Sequence, residues 1–291
     1  MPIHSNHRTG AGGTGRFHDV LMILRRRAPL GSAPLGRAPL GSAPLGRARL
    51  GIGAALLLAV AMLTSGCGSA APPTCSTAAN AAPCTRVLFV GNSYTYVNDL
   101  PTTFARLAVA GGHNVEAAMA ANGGETLAQH AAAAETLDKI SSAPRSFVVL
   151  QEQSETPATS TGRSVMYPAA RTLASKVKAA GAQGMFFMTW AHRDGISIAG
   201  VNTYESMQLA IDDAYNGIAD ELGAPVAPVG FTWFVVRRDH PEIAMWQDDG
   251  SHPTASGTYL AACVFYASIF RESPEGLGYV DGLPSQDANV F

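Results

Sequence analysis

The sequence predicts an α/β domain of three layers, with a parallel sheet between helices. Short continuous apolar runs recur at Val87-Leu-Phe-Val90, Phe147-Val-Val-Leu150 and Met185-Phe-Phe-Met-Thr189. Such runs mark strands buried on both faces. Stretches of helical character lie between them, and alternation of the two types means a parallel sheet covered on both sides. Of the 291 residues, 47% are hydrophobic and 14% charged, which suits one sizeable core.

Before that domain comes a different kind of sequence. Residues 28–46 repeat Ala-Pro-Leu-Gly every five positions. Proline and glycine at that density prevent a helix or a packed core, so 1–66 reads as a low-complexity leader ending in an export signal. Met22 is a candidate later start. From Leu50 to Gly66 there is no charge; Arg47 and Arg49 precede this run and Thr64-Ser65-Gly66-Cys67 ends it. A basic flank, a short apolar run and small residues before a cysteine describe a lipoprotein signal. Thr64 departs from the leucine usual three places before the cysteine. The alternatives are a plain signal peptide or a membrane span, for which the run is short. The expectation is therefore an exported cell-envelope lipoprotein. It would be held by a lipid on Cys67 at the periplasmic or surface face of a membrane.

Residues 67–85 form an Ala-, Pro- and Thr-rich tether. Cys75 and Cys84 within it suit a disulfide in an oxidising compartment, with two free thiols as the alternative. Residues 1–66 hold eight Arg and one acid, leaving 12 basic against 21 acidic residues in 67–291, a net of about −9. So acidic a body is a poor nucleic-acid binder.

The domain spans 86–272. After the strand at 87–90, residues 100–110 read as a helix opened by Pro101 and closed by Gly111-Gly112. Residues 114–121 are a weaker strand, 126–140 a helix, 147–150 a strand and 167–180 a helix ended by Gly181. A strand at 185–189, an amphipathic helix at 204–222, a strand at 225–229 and a helix at 256–270 complete it. Cys263, in that last helix, reads as buried packing. The tail, 273–291, reads as loop.

Sites in such sheets form past the carboxyl ends of the strands. Gly91-Asn-Ser93 follows the first strand, without the glycine spacing of dinucleotide or phosphate loops. A serine in a tight strand-to-helix turn is exposed above the sheet and suits a nucleophile; alone, it is more often a helix cap. Asn122-Gly-Gly-Glu125 follows the second strand, and paired glycines let backbone N–H groups turn toward a ligand. Gln151-Glu-Gln-Ser154 follows the third, and its amides are candidate oxyanion donors. Before the last helix comes Asp249-Gly-Ser-His252, where the aspartate can receive the imidazole N–H and leave the other nitrogen as base. His113, His130, His192 and His240 read as surface or structural. No cysteine or histidine spacing suggests zinc.

In this order the blocks resemble the SGNH/GDSL hydrolases over residues 86–275, above all a subgroup known as a domain of unknown function. The matching blocks are Gly91-Asn-Ser93, Gly123-Gly124-Glu-Thr-Leu127, Leu150-Gln151-Glu-Gln-Ser154 and Asp249-Gly-Ser-His252 with Gly257-Thr-Tyr-Leu-Ala-Ala262. The resemblance implies a flavodoxin-like fold, no metal or cofactor, and ester hydrolysis, often of acetyl groups on carbohydrate. It implies Ser93 as nucleophile, His252 as base, Asp249 as its partner, and the N–H groups of Ser93 and Gly124 as oxyanion donors. The family has asparagine in its third block where this chain has Gln151; Gln151 is assigned the third donor, with Gln153 as fallback. The expected partner is a small-molecule or carbohydrate ester, met by a monomer. The alternatives are a lipolytic or thioester-cleaving member, and a non-catalytic glycan-binding lipoprotein.

Overall fold

A computed structural model of the chain describes residues 71–291. The leader, the signal and Cys67 lie outside the described residues. β1 (Thr85–Gly91), β2 (Val115–Ala121), β3 (Phe147–Leu150), β4 (Gln183–Phe187) and β5 (Val226–Ala227) form one sheet in the order β2-β1-β3-β4-β5. Every pairing is parallel. The chain leaves β1 to build β2 on one side, then crosses back to build β3 on the other. The carboxyl ends of β1 and β3 therefore flank the crevice where the winding reverses, and that is where such sheets hold ligands.

Alternation along the strands divides the core. Val87 and Phe89 face one layer with Val149, Met185 and Phe187. Leu88 and Val90 face the other with Val148, Leu150 and Phe186. The first face is covered by α2 (Leu100–Ala110), α7 (Val229–Asp239) and α8 (Ala255–Phe270). The second is covered by α3 (Leu127–Ala132), α4 (Ala134–Ser141), α5 (Ser160–Ala179) and α6 (Tyr204–Leu222). A one-turn helix, α1 (Ser93–Tyr96), follows β1, and α9 (Ser285–Ala288) lies in the tail. α8 is apolar all round because it is covered on both sides. It packs on the sheet, and the tail lays Leu277, Tyr279 and Phe291 against the same core. The Tyr259 hydroxyl donates to the Tyr279 carbonyl at 2.8 Å, tying that tail down.

Several elements differ from the sequence reading. The helix expected over 126–140 is two helices, broken at Ala133, whose backbone is extended (φ −82°, ψ 116°). Nothing in the alanine run demands this break. His130 and Thr136 on either side of it are both buried and bonded to each other, His130 Nδ1 to Thr136 Oγ1 at 2.9 Å. α5 starts at Ser160, not 167, capped by Thr159 accepting from the Gly162 N–H at 3.0 Å. It therefore carries Pro168 in its interior, where proline is ordinarily disfavoured. α7 was not anticipated, and the tail contains α9 rather than loop alone. Cys75 and Cys84 are disulfide-bonded, and Cys263 is buried. Among the described residues no helix is long and apolar enough to cross a membrane.

Phe89 is the hinge of the first core layer, its ring edge-on to Phe104 at 5.8 Å and to Phe265 at 5.1 Å. Phe89→Ala is expected to cost about 3–5 kcal/mol in urea unfolding. Leu209→Ala, on an exposed position of α6, is expected to stay within about 0.5 kcal/mol. Comparable losses in the two variants would contradict this account of the core.

Candidate active site

The turn after β1 is built around Asn92. Its side chain accepts from the Tyr94 N–H at 3.1 Å, capping α1, and donates to the Glu125 carbonyl at 3.0 Å. Ser93 is thus the first residue of a one-turn helix, with its backbone N–H at the open end. Gly91 cannot carry a side chain here, because a Cβ would lie 2.3 Å from Gln151 Oε1. Gly, Asn and Ser each have a separate reason to stand in this order.

The loop before α8 supplies the partner. Asp249 Oδ1 accepts from the backbone N–H groups of Ser251 and His252, both at 2.9 Å. Gly250 has φ +69°, the left-handed conformation that closes so tight a turn. The loop is held from outside as well: Arg193 N–H donates to the Gly250 carbonyl at 2.7 Å, and Trp190 Nε1 to the Ser251 carbonyl at 3.0 Å. So fixed, His252 places Nδ1 at 2.5 Å from Asp249 Oδ2 and Nε2 at 2.9 Å from Ser93 Oγ. Partial burial pushes the Asp249 carboxyl upward. The His252 ring and the two backbone N–H groups outweigh it and hold the pKa at about 2. The carboxylate is therefore charged over the whole working range and fixes Nδ1 as the protonated nitrogen, leaving Nε2 to accept from Ser93.

Ser93 and His252 open on a cavity of about 420 Å³. Gly123 and Gly124 form one rim; Gly124 has φ +69° with free space around its Cα, so backbone conformation rather than crowding selects glycine. Among the described residues, neither the Ser93 N–H nor the Gly124 N–H has an acceptor, and both residues border the cavity.

Gln151 does not join them, and its assignment as oxyanion donor is corrected. The residue is fully buried. Its Nε2 protons go to Asn92 Oδ1 at 2.9 Å and the Glu152 carbonyl at 2.7 Å. Its Oε1 accepts from Asn92 N–H and Thr95 Oγ1, both at 2.9 Å. No proton is left for a ligand; the side chain clasps the Asn92–Ser93 turn from beneath. Gln153 borders the cavity instead. Its Oε1 is saturated by Glu155 N–H, Thr156 N–H and Thr156 Oγ1 at 2.9, 3.0 and 3.0 Å. Its Nε2 donates one proton to Ser154 Oγ at 3.2 Å and keeps the other.

Two further groups support the floor. Glu152 is fully buried, with Oε1 accepting from Gln153 N–H at 2.7 Å and from Leu127 N–H at 3.2 Å. It thereby joins the third block to the helix that follows Gly124. No donor among the described residues reaches Oε2, and burial raises the carboxyl to about 7 against the pull of those two N–H groups. His130, also buried, lies 2.8 Å from the Gly91 carbonyl through Nε2 and is structural.

His192 is the residue sequence reasoning missed. Its sequence context reads as surface or structural, yet it lines the cavity, with Nε2 at 3.1 Å from Ser251 Oγ and 3.2 Å from Ser154 Oγ. Among the described residues, the cluster with ligand-like spacing for a metal is Cys75, Cys84 and Glu116, whose sulfurs are joined to each other.

No family model and no curated protein matches the sequence. Solved structures do. A protein from Slackia heliotrinireducens classed with the SGNH hydrolases superposes with a TM-score of 0.55; it is 29% identical, and the match covers 64% of this chain and 100% of that one. A DUF4886 family protein from Bacteroides uniformis gives a TM-score of 0.58 at 17% identity, over 72% of this chain and 92% of the other. An acetyl xylan esterase gives 0.51 at 14% identity, over 63% and 99%. With the five-stranded parallel sheet, the Gly91-Asn-Ser93 turn and the Asp249–His252 loop, these likenesses show that the chain has the fold of the SGNH/GDSL hydrolases.

Proposed function

We propose that the chain is a serine esterase that removes a short acyl group, acetyl above all, from a carbohydrate alcohol through an acyl-enzyme on Ser93. The continuous chain from Ser93 Oγ to His252 to Asp249 carries the esterase part of this reading. Ser93 Oγ adds to the ester carbonyl as its proton passes to His252 Nε2. The carbonyl oxygen becomes an oxyanion that the Ser93 and Gly124 N–H groups receive. Collapse breaks the bond to the alcohol, which leaves with the proton from His252. Water then adds to the acyl-enzyme, again giving its proton to His252, and the carboxylic acid departs as Ser93 regains its hydrogen. Asp249 stays ionised throughout and stabilises the imidazolium.

The cavity lining supports the narrower part. Its residues are Asn92, Ser93, Tyr94, Tyr96, Gly123, Gly124, Gln153, Ser154, Glu155, His192, Ser251 and His252. No aliphatic side chain is among them. Beyond the Tyr94 and Tyr96 rings a long acyl chain would meet no apolar side chain, and each methylene left against polar groups forgoes about 0.8 kcal/mol. The lipolytic and acyl-thioesterase readings are therefore less favoured. The acetyl xylan esterase among the structural likenesses is consistent with a sugar ester. A lipid anchor at Cys67 belongs to the same proposal. The Cys75–Cys84 disulfide supports export, since such bonds persist in oxidising compartments.

We assign the third oxyanion donor to Gln153, whose amide is held rigidly and has one proton free. A series of nitrophenyl esters tests the function: kcat/KM is expected to fall at least about tenfold from acetyl to octanoyl. Activity should be lost in Ser93→Ala. A rate that rises with acyl length would favour the lipolytic reading.

The two glutamines separate by different measurements. Gln153→Ala is expected to lower kcat by about 10²-fold with KM little changed and melting normal, the cost of one oxyanion donor. Gln151→Ala should instead lower Tm, because it strips four hydrogen bonds from buried partners at about 1–3 kcal/mol for each left unmade. A normal Tm with crippled kcat in Gln151→Ala, and normal kcat in Gln153→Ala, would reverse the assignment.

A further inference from the structure

One wall of the cavity is a connected set of hydroxyl groups around His192. The Tyr94 hydroxyl lies 2.8 Å from Ser251 Oγ. His192 Nε2 lies within reach of both serines, at 3.1 and 3.2 Å. On the far side of the ring, Glu155 Oε1 is 4.0 Å from Nδ1. A carboxylate there favours the tautomer with the proton on Nδ1, leaving Nε2 as an acceptor. Burial lowers the imidazole pKa, so the ring is neutral at neutral pH.

The protons of this wall can then be followed. Tyr94, Ser154 and Ser251 have one hydroxyl proton each. Two internal contacts are available to receive them, Tyr94 with Ser251 and one serine with Nε2, and Ser154 Oγ also accepts from Gln153 Nε2 at 3.2 Å. One hydroxyl proton is left over, against two lone pairs on every hydroxyl oxygen. What faces the cavity is thus a surplus of acceptors, with the Glu155 carboxylate at the rim. Such a surface takes neutral hydrogen-bond donors and repels anions.

We propose that Tyr94, Ser154, His192 and Ser251, with Glu155 beside them, form the subsite for the leaving alcohol and select a neutral, multiply hydroxylated alcohol over an anionic one. The proposal rests on the esterase reading above and adds to it which residues choose the alcohol, and by what charge. It also disfavours phosphate-bearing carriers as leaving groups.

Three acetyl esters test it: an acetylated methyl xyloside, an acetylated uronic acid of the same ring size, and nitrophenyl acetate. The wild type is expected to favour the xyloside over the uronate at least about tenfold in kcat/KM, the scale of one buried polar contact and one repulsive charge. Glu155→Gln, a near-isosteric change at the rim, should shrink that preference at least about threefold. His192→Phe should raise KM for the xyloside about tenfold and lower the xyloside-to-nitrophenyl ratio of kcat/KM by a similar factor. If His192→Phe instead lowers kcat equally on all three esters, His192 merely holds the Ser251 loop and the subsite is wrong. A wild type indifferent to the uronate charge, or a Glu155→Gln variant with unchanged preference, would overturn it too. The absence of Ser93-dependent turnover of nitrophenyl acetate would sink the esterase reading itself, which keeps the two failures apart.

Discussion

Between the carboxyl ends of β1 and β3, the Gln151 amide uses all four of its hydrogen-bonding contacts inside the protein. Two go to Asn92, one to Thr95 and one to the Glu152 backbone. The geometry of the site follows from that clasp. Asn92, held at both its backbone and its side chain, caps α1 and so presents Ser93. One of its amide protons holds the Glu125 carbonyl, which sets the distance between the Asn92–Ser93 turn and the Gly123-Gly124 rim. Glu152 repeats the connection one layer away, through Leu127 N–H. A buried polar network of this kind is costly unless fully satisfied; among the described residues the buried Glu152 Oε2 lacks a donor, and there burial favours the neutral acid.

The second half of the site is held by aromatic stacking as well as by backbone amides. Tyr94 stacks on Trp190 at 4.4 Å, and Trp190 on Trp233 at 3.9 Å. Trp190 passes this rigidity to the relay through its bond to the Ser251 carbonyl. Ser93 therefore rests on the sheet and His252 on the aromatic column, and Tyr94, one residue after Ser93, belongs to both. This arrangement holds the three side chains in place without a ligand, the condition under which positioned groups are most effective.

What was legible in the sequence follows from how local each feature is. The Asp249–His252 unit spans three residues, and the spacing alone lets the carboxylate meet the ring. The buried strands announced themselves as continuous apolar runs. Gln151 and Gln153 have the same strand parity, so nothing in the sequence says which one turns down against Asn92 and which turns up to the cavity. The clasp depends on Gly91 leaving room for it, a contact across 59 or more residues. His192 was illegible for a similar reason: its partners Ser154 and Ser251 are 38 and 59 residues away. α7 is dominated by β-branched and aromatic residues, whose propensity favours strand; packing of Trp233 and Val236 into the core makes it helical. The break between α3 and α4 arises from the buried His130, not from any breaker in the alanine run.

The central claim is that Ser93, activated by His252, is the nucleophile. The cavity wall contains two other serines, Ser154 and Ser251, each within reach of a second imidazole, so the claim has real competitors. Labelling with a fluorophosphonate followed by peptide mapping decides among them. The account predicts an adduct on Ser93 alone, with labelling slowed about 10²-fold or more in His252→Asn, the range expected for loss of a general base. An adduct on Ser154 or Ser251, or equal labelling of wild type and Ser93→Ala, would contradict it.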